Sequence, residues 1–325
     1  MYQFIIAFLL FFTAALYPID VVYTWVDGSD TAWQKTKETY AKKDLSINPA
    51  VHAHRRFKDH EELKYSLRSI QAFAPWVSHI YIVTAGQRPK WLKDHPKISI
   101  VDHKAIFTHP NDLPTFNSMA IECHLHHIPN LAEEYLYFND DVFLGQPVAE
   151  TAFFTPDRKM KLFPSKRAFS RSFPACGEEG FTAATKNSCA LLKHIFGKAP
   201  TYMHSHTPYP LKKSFVESLK KKFTTIFDHV SSHRFRSIDD FAMTNVLIPY
   251  AALYMNQAIE EKPNCTTVSV GRGPGNDASV LTTLSQARPL FFCIQDASDD
   301  DSPEKDKALH DFFEAYFPTP GPWEQ

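Results

Sequence analysis

Most of the signatures that announce an enzyme class are missing from this chain. It has no Gly-rich phosphate loop, no G-x-G-x-x-G turn, no G-x-S-x-G nucleophile elbow and no H-E-x-x-H pair. That weighs against an ATPase, a dinucleotide-dependent dehydrogenase, a serine hydrolase and a zinc peptidase. Excess charge of either sign is missing too. The chain has 35 Lys and Arg against 36 Asp and Glu, a formal net charge of -1, so no nucleic-acid partner is expected. Cysteine is scarce: Cys123, Cys176, Cys189, Cys265 and Cys293 form no C-x-x-C pair and no zinc pattern, and their number is odd. Cys123 and Cys293 read as buried thiols, and a Cys176–Cys189 bridge is open only in an oxidising compartment. The one long apolar run is at the start. Met1 to Leu16 carries no charge, but it is shorter than the roughly 20 residues that span a bilayer. It also lacks the positive flank of a secretory signal. We read residues 1–16 as a signal peptide or signal anchor, and with the sequon Asn264-Cys265-Thr266 they point towards the secretory pathway.

What is present is a core and a pattern. Hydrophobic residues make up 44% of the 325, with 27 Phe, 13 Tyr and 5 Trp, enough to bury one large domain over 17–325. The first half alternates strand-like and helix-like segments. Ile19 to Trp25 is β-branched and aromatic and ends at the turn Asp27-Gly28. Asp59 to Phe73 reads as a helix, with capping-box spacing between Asp59 and Glu62 and with Leu63, Leu67 and Ile70 on one face. Strands are expected at His79–Ala85, Ile98–Asp102 and Tyr135–Phe138, and a helix at Asn117–Ile128. This order predicts an α/β fold with a mainly parallel sheet covered by helices. Ligands of such sheets sit at the carboxyl ends of the strands, where Asp27-Gly28, Thr84 to Gln87 and Asn139 to Asp141 fall. Residues 151–200 read as a variable loop region. Helices follow at Pro210–Phe223 and Asp239–Tyr250, a strand at Phe291–Ile294 and a last helix from about Pro303.

Several residues could carry chemistry. Asp140 and Asp141 end an apolar strand, and hard carboxylate oxygens there suit Mg²⁺ or Mn²⁺ and through it a diphosphate; a polar turn is the plainer alternative. His206, in Ser205-His206-Thr207-Pro208, could take a proton from an attacking hydroxyl, although with 16 histidines in the chain a packing role is commoner. Arg236 precedes Asp239 and Asp240, so its guanidinium could grip a phosphate with a carboxylate orienting it; a surface ion pair is the commoner use. His124, His126 and His127 look like a metal cluster, but nothing local in sequence completes it, and structural roles are favoured. Trp25 and Trp91 flank strand ends and could stack on a base or sugar, or simply pack.

In order along the chain these features resemble the Stealth proteins. Ile19-Asp20-Val21-Val22-Tyr23-Thr24-Trp25-Val26-Asp27-Gly28-Ser29-Asp30 is similar to their first conserved region. Arg56-Phe57, Tyr65 to Ile70, Ala74-Pro75-Trp76, Gly86-Gln87, Leu113 to Phe116, Ala120-Ile121-Glu122 and Asn139-Asp140-Asp141 resemble the second. His206-Thr207-Pro208 and Arg236 to Asp240 resemble the third, and Phe292 to Asp296 with Tyr316-Phe317-Pro318 through Trp323-Glu324 the fourth. Gln295 stands where the pattern has Asn.

The resemblance implies a nucleotide-sugar-transferase-like mixed sheet with a helical insert near 200–250. It implies transfer of a hexose 1-phosphate from a UDP-sugar to a carbohydrate hydroxyl, with release of UMP and a requirement for Mg²⁺ or Mn²⁺. His206, Arg236, Asp239 and Asp240 would be catalytic. Trp25, Val26, Asp27, Gly28, Arg68, Gly86 and Gln87 would form the nucleotide-sugar pocket, and Asp140 and Asp141 would hold the metal. The expected partners are a nucleotide-sugar donor and a glycan or polysaccharide acceptor, with membrane attachment through residues 1–16 and a homodimer as further expectations. The expected location is the Golgi membrane or lumen, the alternative being a bacterial cytoplasm or membrane periphery. A glycosyltransferase releasing UDP, and a non-catalytic carbohydrate-binding relative, are the alternative functions.

Overall fold

A computed structural model describes residues 17–42, 56–168, 180–298 and 302–325. The N-terminal run 1–16 and the Cys176–Cys189 pairing lie outside the described residues. No helix of the described residues is long and apolar enough to cross a membrane.

The main sheet grows from the β-branched and aromatic runs. Its strands are β1 (Ile19–Thr24), β2 (Ile80–Thr84), β3 (Ile98–Asp102), β4 (Glu134–Asn139) and an edge strand, Tyr209–Lys212, in the order β3-β2-β1-β4-edge. The first four are mutually parallel, with Val22 set between Tyr81 and Tyr137, and only the edge strand runs antiparallel. Nearly every residue of β1, β2 and β4 is buried on both faces, as expected where helices cover a parallel sheet. Because β1, β2 and β4 are parallel neighbours, their carboxyl ends open on one edge. This places the polar clusters after Thr24, Thr84 and Asn139 side by side.

Helices α1 (Thr31–Ala41), α2 (Glu62–Phe73) and α3 (Ser118–Glu122) follow β1, precede β2 and follow β3. On α2, Leu63, Leu67 and Ile70 are buried as the periodicity requires. Its entry is not the expected capping box. Glu61 is the cap residue with φ +65°. Asp59 accepts the Glu61 N–H, and the Glu62 carboxylate turns back to the His60 N–H. The helix expected over 117–128 stops at α3 and gives way to a 3₁₀ turn at Leu125–His127.

The stretch 151–200 contains more structure than its composition suggests. It holds β5's successors β6 (Met160–Leu162) and β7 (Pro164–Ala168) and the 17-residue helix α4 (Gly180–Phe196), where β5 is Val142–Leu144. β7 pairs with β8 (Tyr202–His204). Pro210, expected in a helix's first turn, instead lies on β9, the edge strand Tyr209–Lys212. An edge strand tolerates the missing N–H, and the helix α5 (Lys213–Lys222) starts after it. Next come α6 (Thr224–Ser232), a π-helical turn at Met243–Leu247 and α7 (Ile248–Tyr254). Pro249 brings no N–H to this turn, and Leu247 N bonds Ala242 O one residue further back than an α-helix would.

A second, smaller sheet joins β11 (Cys265–Val270), β12 (Phe291–Asp296) and β5, while β10 (Ala258–Glu260) pairs with β6. Helices α8 (Pro274–Ala287) and α9 (Pro303–Tyr316) cover it. Tyr65, Phe143, Phe292, Phe313 and Phe317 stack into an aromatic core between α2, this sheet and α9.

Candidate active site

The site begins at the end of β1. Gly28 is a position where only glycine fits, because a Cβ there would lie 1.9 Å from the Phe57 carbonyl oxygen. Gly86, after β2, has φ +80°, which spares its turn the strain of an L side chain. The next residue, Gln87, uses its whole amide on the β1 loop. Its Oε1 accepts the Asp27 N–H, and its Nε2 donates to Asp27 O and to Asp30 Oδ2. Gly86 and Gln87 therefore shape the loop Trp25-Val26-Asp27-Gly28. Beside that loop is a cleft of 280 Å³ lined by Trp25, Asp27, Lys58, Asp59, Lys90 and Trp91, among others. Trp25 is 6% exposed and donates its indole N–H to Asp59, so most of its ring belongs to the core.

Arg68 is elsewhere. Its guanidinium is 5% exposed and is held by Glu324, Glu314 and the Phe317 carbonyl. The expectation of a donor-binding arginine is corrected on this point. All these contacts go to the C-terminal segment, which Arg68 ties to α2 and to the aromatic core.

At the end of β4 the two aspartates meet different partners. Asp141 Oδ1 is 3.2 Å from His206 Nε2, and its Oδ2 accepts the Cys293 thiol at 3.2 Å. Asp140 is pushed well above the ordinary carboxylate range by burial, and then by the charges of Asp141 and Asp59. Glu62 is raised by burial and by Asp59 and Asp140, and Asp59 by its own burial. Four carboxylates thus gather at one edge of the sheet, with repulsion raising Asp140 and Glu62 and a hydrogen bond from Glu62 easing Asp59. Asp59 and Glu62 were legible in sequence only as cap residues, because their approach to Asp140 depends on how α2 crosses the sheet.

His206 lies in the loop between β8 and β9. Burial lowers its basicity, but the charge and hydrogen bond of Asp141, with Glu122 beyond, outweigh it and leave the imidazole above its usual value. Asn139 Nδ2 also approaches His206 Nε2, at 3.0 Å, while its Oδ1 accepts the Tyr137 hydroxyl. One nitrogen cannot donate and accept at once. The Asn139 amide favours a bare Nε2, and the Asp141 carboxylate favours a protonated one. The loop is therefore built to hold the ring in either state.

Arg236 donates to Ser118 Oγ at the start of α3, and its charge reaches both His206 and Glu122. Glu122, at the other end of α3, is 6% exposed, accepts both the N–H and the hydroxyl of Thr244, and is raised by burial. In sequence Glu122 stands only within Ala120-Ile121-Glu122, and its burial against Thr244 depends on a partner 122 residues away. Asp240 is completely buried and binds His233, Asn117 and the Ser237 N–H, so it fixes the loop that carries Arg236. Asp239 is exposed, with no hydrogen bond or ion pair of its side chain among the described residues. Of the two aspartates, Asp240 is the one that braces this loop, through Asn117, His233 and the Ser237 N–H.

Two donor sets suit metals differently. Asp141, His206 and Cys293 offer O, N and S atoms within 4.8 Å of one another. Asp140, Asp59 and Glu62 interact through their charges and carry oxygen alone, the chemistry that Mg²⁺ or Mn²⁺ prefers, but their oxygens do not converge as the donor atoms of the first set do. Mutual repulsion among these carboxylates is what a divalent cation would relieve.

Known sequences match this chain in four segments: conserved regions 1, 2, 3 and 4 of the Stealth proteins, at residues 17–44, 56–162, 205–253 and 282–325. An exopolysaccharide phosphotransferase of Streptomyces coelicolor is 39% identical over 313 residues, 95% of this chain and 57% of that protein. The exopolysaccharide phosphotransferase CpsY of Mycobacterium tuberculosis is 35% identical over 314 residues, 95% of this chain and 58% of that one. The chain thus spans little more than half the length of these curated relatives, which are bacterial and lend no support to a Golgi location. Among solved structures, the galactosyltransferase LgtC with donor and acceptor sugar analogs aligns over 94% of this chain and 99% of its own, at 10% identity and a TM-score of 0.43. Every segment that builds the carboxylate edge and the His206 and Arg236 loops falls inside a conserved region, and the chain belongs to the Stealth family.

Proposed function

We propose that the chain transfers a sugar 1-phosphate from a UDP-sugar to a carbohydrate hydroxyl of an exopolysaccharide, releasing UMP. The observation that carries this reading is His206 Nε2 held between Asn139 and Asp141 beside an acidic edge. The acceptor O–H gives its proton to the bare Nε2, and Asp141 stabilises the imidazolium that results. The acceptor oxygen bonds to the sugar-bearing phosphorus as the P–O bond to the bridging oxygen breaks. UMP leaves with that electron pair, and the anomeric C–O bond survives. Arg236, held by Ser118 and by the Asp240-braced loop, faces the transferring phosphoryl group. The uridine end of the donor fits the cleft beside Trp25, Lys58 and Trp91. Asp140 and Asp141, with Asp59 and Glu62 near, would hold Mg²⁺ or Mn²⁺, which supplies positive charge for the diphosphate. The cell that uses it would be bacterial, with the acceptor a surface polysaccharide.

The nucleotide product tests this reading. The protein is incubated with UDP-N-acetylglucosamine, Mg²⁺ or Mn²⁺ and a panel of simple sugars and oligosaccharides. UMP that depends on metal and acceptor is expected. UDP in its place would overturn the reading in favour of glycosyl transfer at the anomeric carbon.

A further inference from the structure

Away from His206, two adjacent histidines and a glutamate of another helix meet in a way the acidic edge does not require. His126 and His127 lie on the 3₁₀ turn after α3, and Glu217 lies on α5. One donor atom of each falls within 4.8 Å of the others. His126 is 1% exposed, yet neither of its ring nitrogens has a hydrogen-bond partner. Leaving such a buried polar group unsatisfied costs about 1–3 kcal/mol. Its Nε2 stands 3.3 Å from Glu217 Oε2, without the direction of a hydrogen bond. Nor is the contact an ion pair. Burial, with the charges of His127 and Lys220, pushes His126 down to about 2, so the ring is neutral.

His127 is oriented differently. Its Nδ1 is 2.8 Å from the Ile106 carbonyl. A carbonyl only accepts, so Nδ1 carries the proton and Nε2 presents its lone pair. A second nitrogen tied to a backbone carbonyl is the usual support of a metal-binding histidine. The cation now nearest that lone pair is Lys220 Nζ, at 3.4 Å.

We propose that His126, His127 and Glu217 form a binding site for a borderline transition ion of the Zn²⁺ type, which braces the turn after α3 against α5. A tetrahedral zinc with bonds of about 2.0–2.1 Å sets its donors roughly 3.3 Å apart, the spacing already present between His126 Nε2 and Glu217 Oε2. Two neutral imidazoles and a carboxylate select zinc over Mg²⁺, which prefers oxygen throughout. Water completes the four ligands. Lys220 holds the place of the ion in the metal-free protein and swings to solvent when the ion enters. The site lies apart from the reaction, but its turn directly follows the short helix α3. α3 carries Ser118, which binds Arg236, and Glu122, which binds Thr244, so an ion at its far end stiffens the support of both.

The test uses the full chain with Zn²⁺ and Co²⁺ as probes, in a His206→Ala background so that the Asp141, His206 and Cys293 set does not compete. One equivalent of Zn²⁺ retained after desalting, a rise in Tm on adding Zn²⁺ and visible Co²⁺ bands of tetrahedral intensity are expected. Glu217→Gln and His127→Gln should each lose the retained equivalent and the Tm increment while keeping the metal-free Tm. Glu217 is part-exposed, so the first of these keeps the fold. Lys220→Met should tighten Zn²⁺ binding several-fold. Absence of a retained ion in the His206→Ala protein would overturn the proposal, and so would an unchanged equivalent in Glu217→Gln.

Discussion

Two acidic clusters flank α2, and they behave in opposite ways. In the C-terminal layer, burial alone would raise Asp296, but hydrogen bonds and charge from His60 and Lys305 more than offset it and hold the carboxyl below its usual value. Lys305 itself is 2% exposed. Arg68 pairs with both Glu314 and Glu324 in the same layer, and the Tyr65 hydroxyl together with Arg68 holds Glu314 below its usual value. At the strand ends, half-buried Asp140 and Asp59 and buried Glu62 stand above the ordinary range. The first cluster carries its counter-charges on the chain and serves the fold. Among the described residues none of the three carboxylates of the second makes an ion pair, a cost the fold bears at the edge where the proposed function places a cation. Carboxylates raised by burial and by one another at a strand-end cleft are candidates for a functional site.

The largest effect expected from breaking this contrast is catalytic. Removing the base in His206→Ala should lower turnover by about 10²–10⁴-fold, read as UMP released, with the melting curve little changed. Wild-type turnover would remove His206 from the mechanism. Next comes the paired cluster. Lys305→Met strands Asp296 beside its remaining partner, and breaking a buried ion pair costs about 3–5 kcal/mol. Chemical denaturation measures it, and a loss under 1 kcal/mol would mean that His60 alone suffices. Asp140→Asn should act in the other direction. It relieves repulsion and stabilises the metal-free protein by roughly 0.5–2 kcal/mol, while abolishing any rise in Tm with Mg²⁺ or Mn²⁺.

The same contrast has a pH signature with two signs. Asp140 and Glu62 have folded pKa values above their unfolded ones, so the folded state binds more protons between the two. With chelator present, their contribution should fall as pH rises from the ordinary carboxylate value through the raised folded one. Asp296 is depressed, so its contribution is present above the ordinary value and is lost as pH falls through the folded one. Asp140→Asn should flatten the first slope and leave the second, as followed by Tm against pH in EDTA. The smallest effect is at the surface. Asp239→Asn should change stability by no more than about 0.5 kcal/mol and activity little, whereas Asp240→Asn should impair both. Equal loss in the two would return an orienting role to Asp239.

Much of the frame was legible in the residues. The β-branched and aromatic runs of β1, β2 and β4 and the 3.6 spacing of Leu63, Leu67 and Ile70 follow from local backbone and side-chain preference, and the structure repeats them within a residue or two. Other elements escaped because their causes are not local. α4 sits in a stretch whose mixed composition hid its apolar face. Pro210 reads as a helix start until β9 is seen to be an edge, and Pro249 shifts the helix expected from Asp239 into a π-turn.

The sequence by itself determined β1 to β4 and β12, the polar endings of β1, β2 and β4 and the residue types there, since backbone preference and hydrophobic runs act over a few residues. Only the tertiary structure decided which charges are paired. Arg68 and Asp296 find partners more than two hundred residues away, while Asp140 is packed beside Asp59 and Glu62. Electrostatic energy depends on distance through space and on burial, and neither is written in the spacing of residues along the chain.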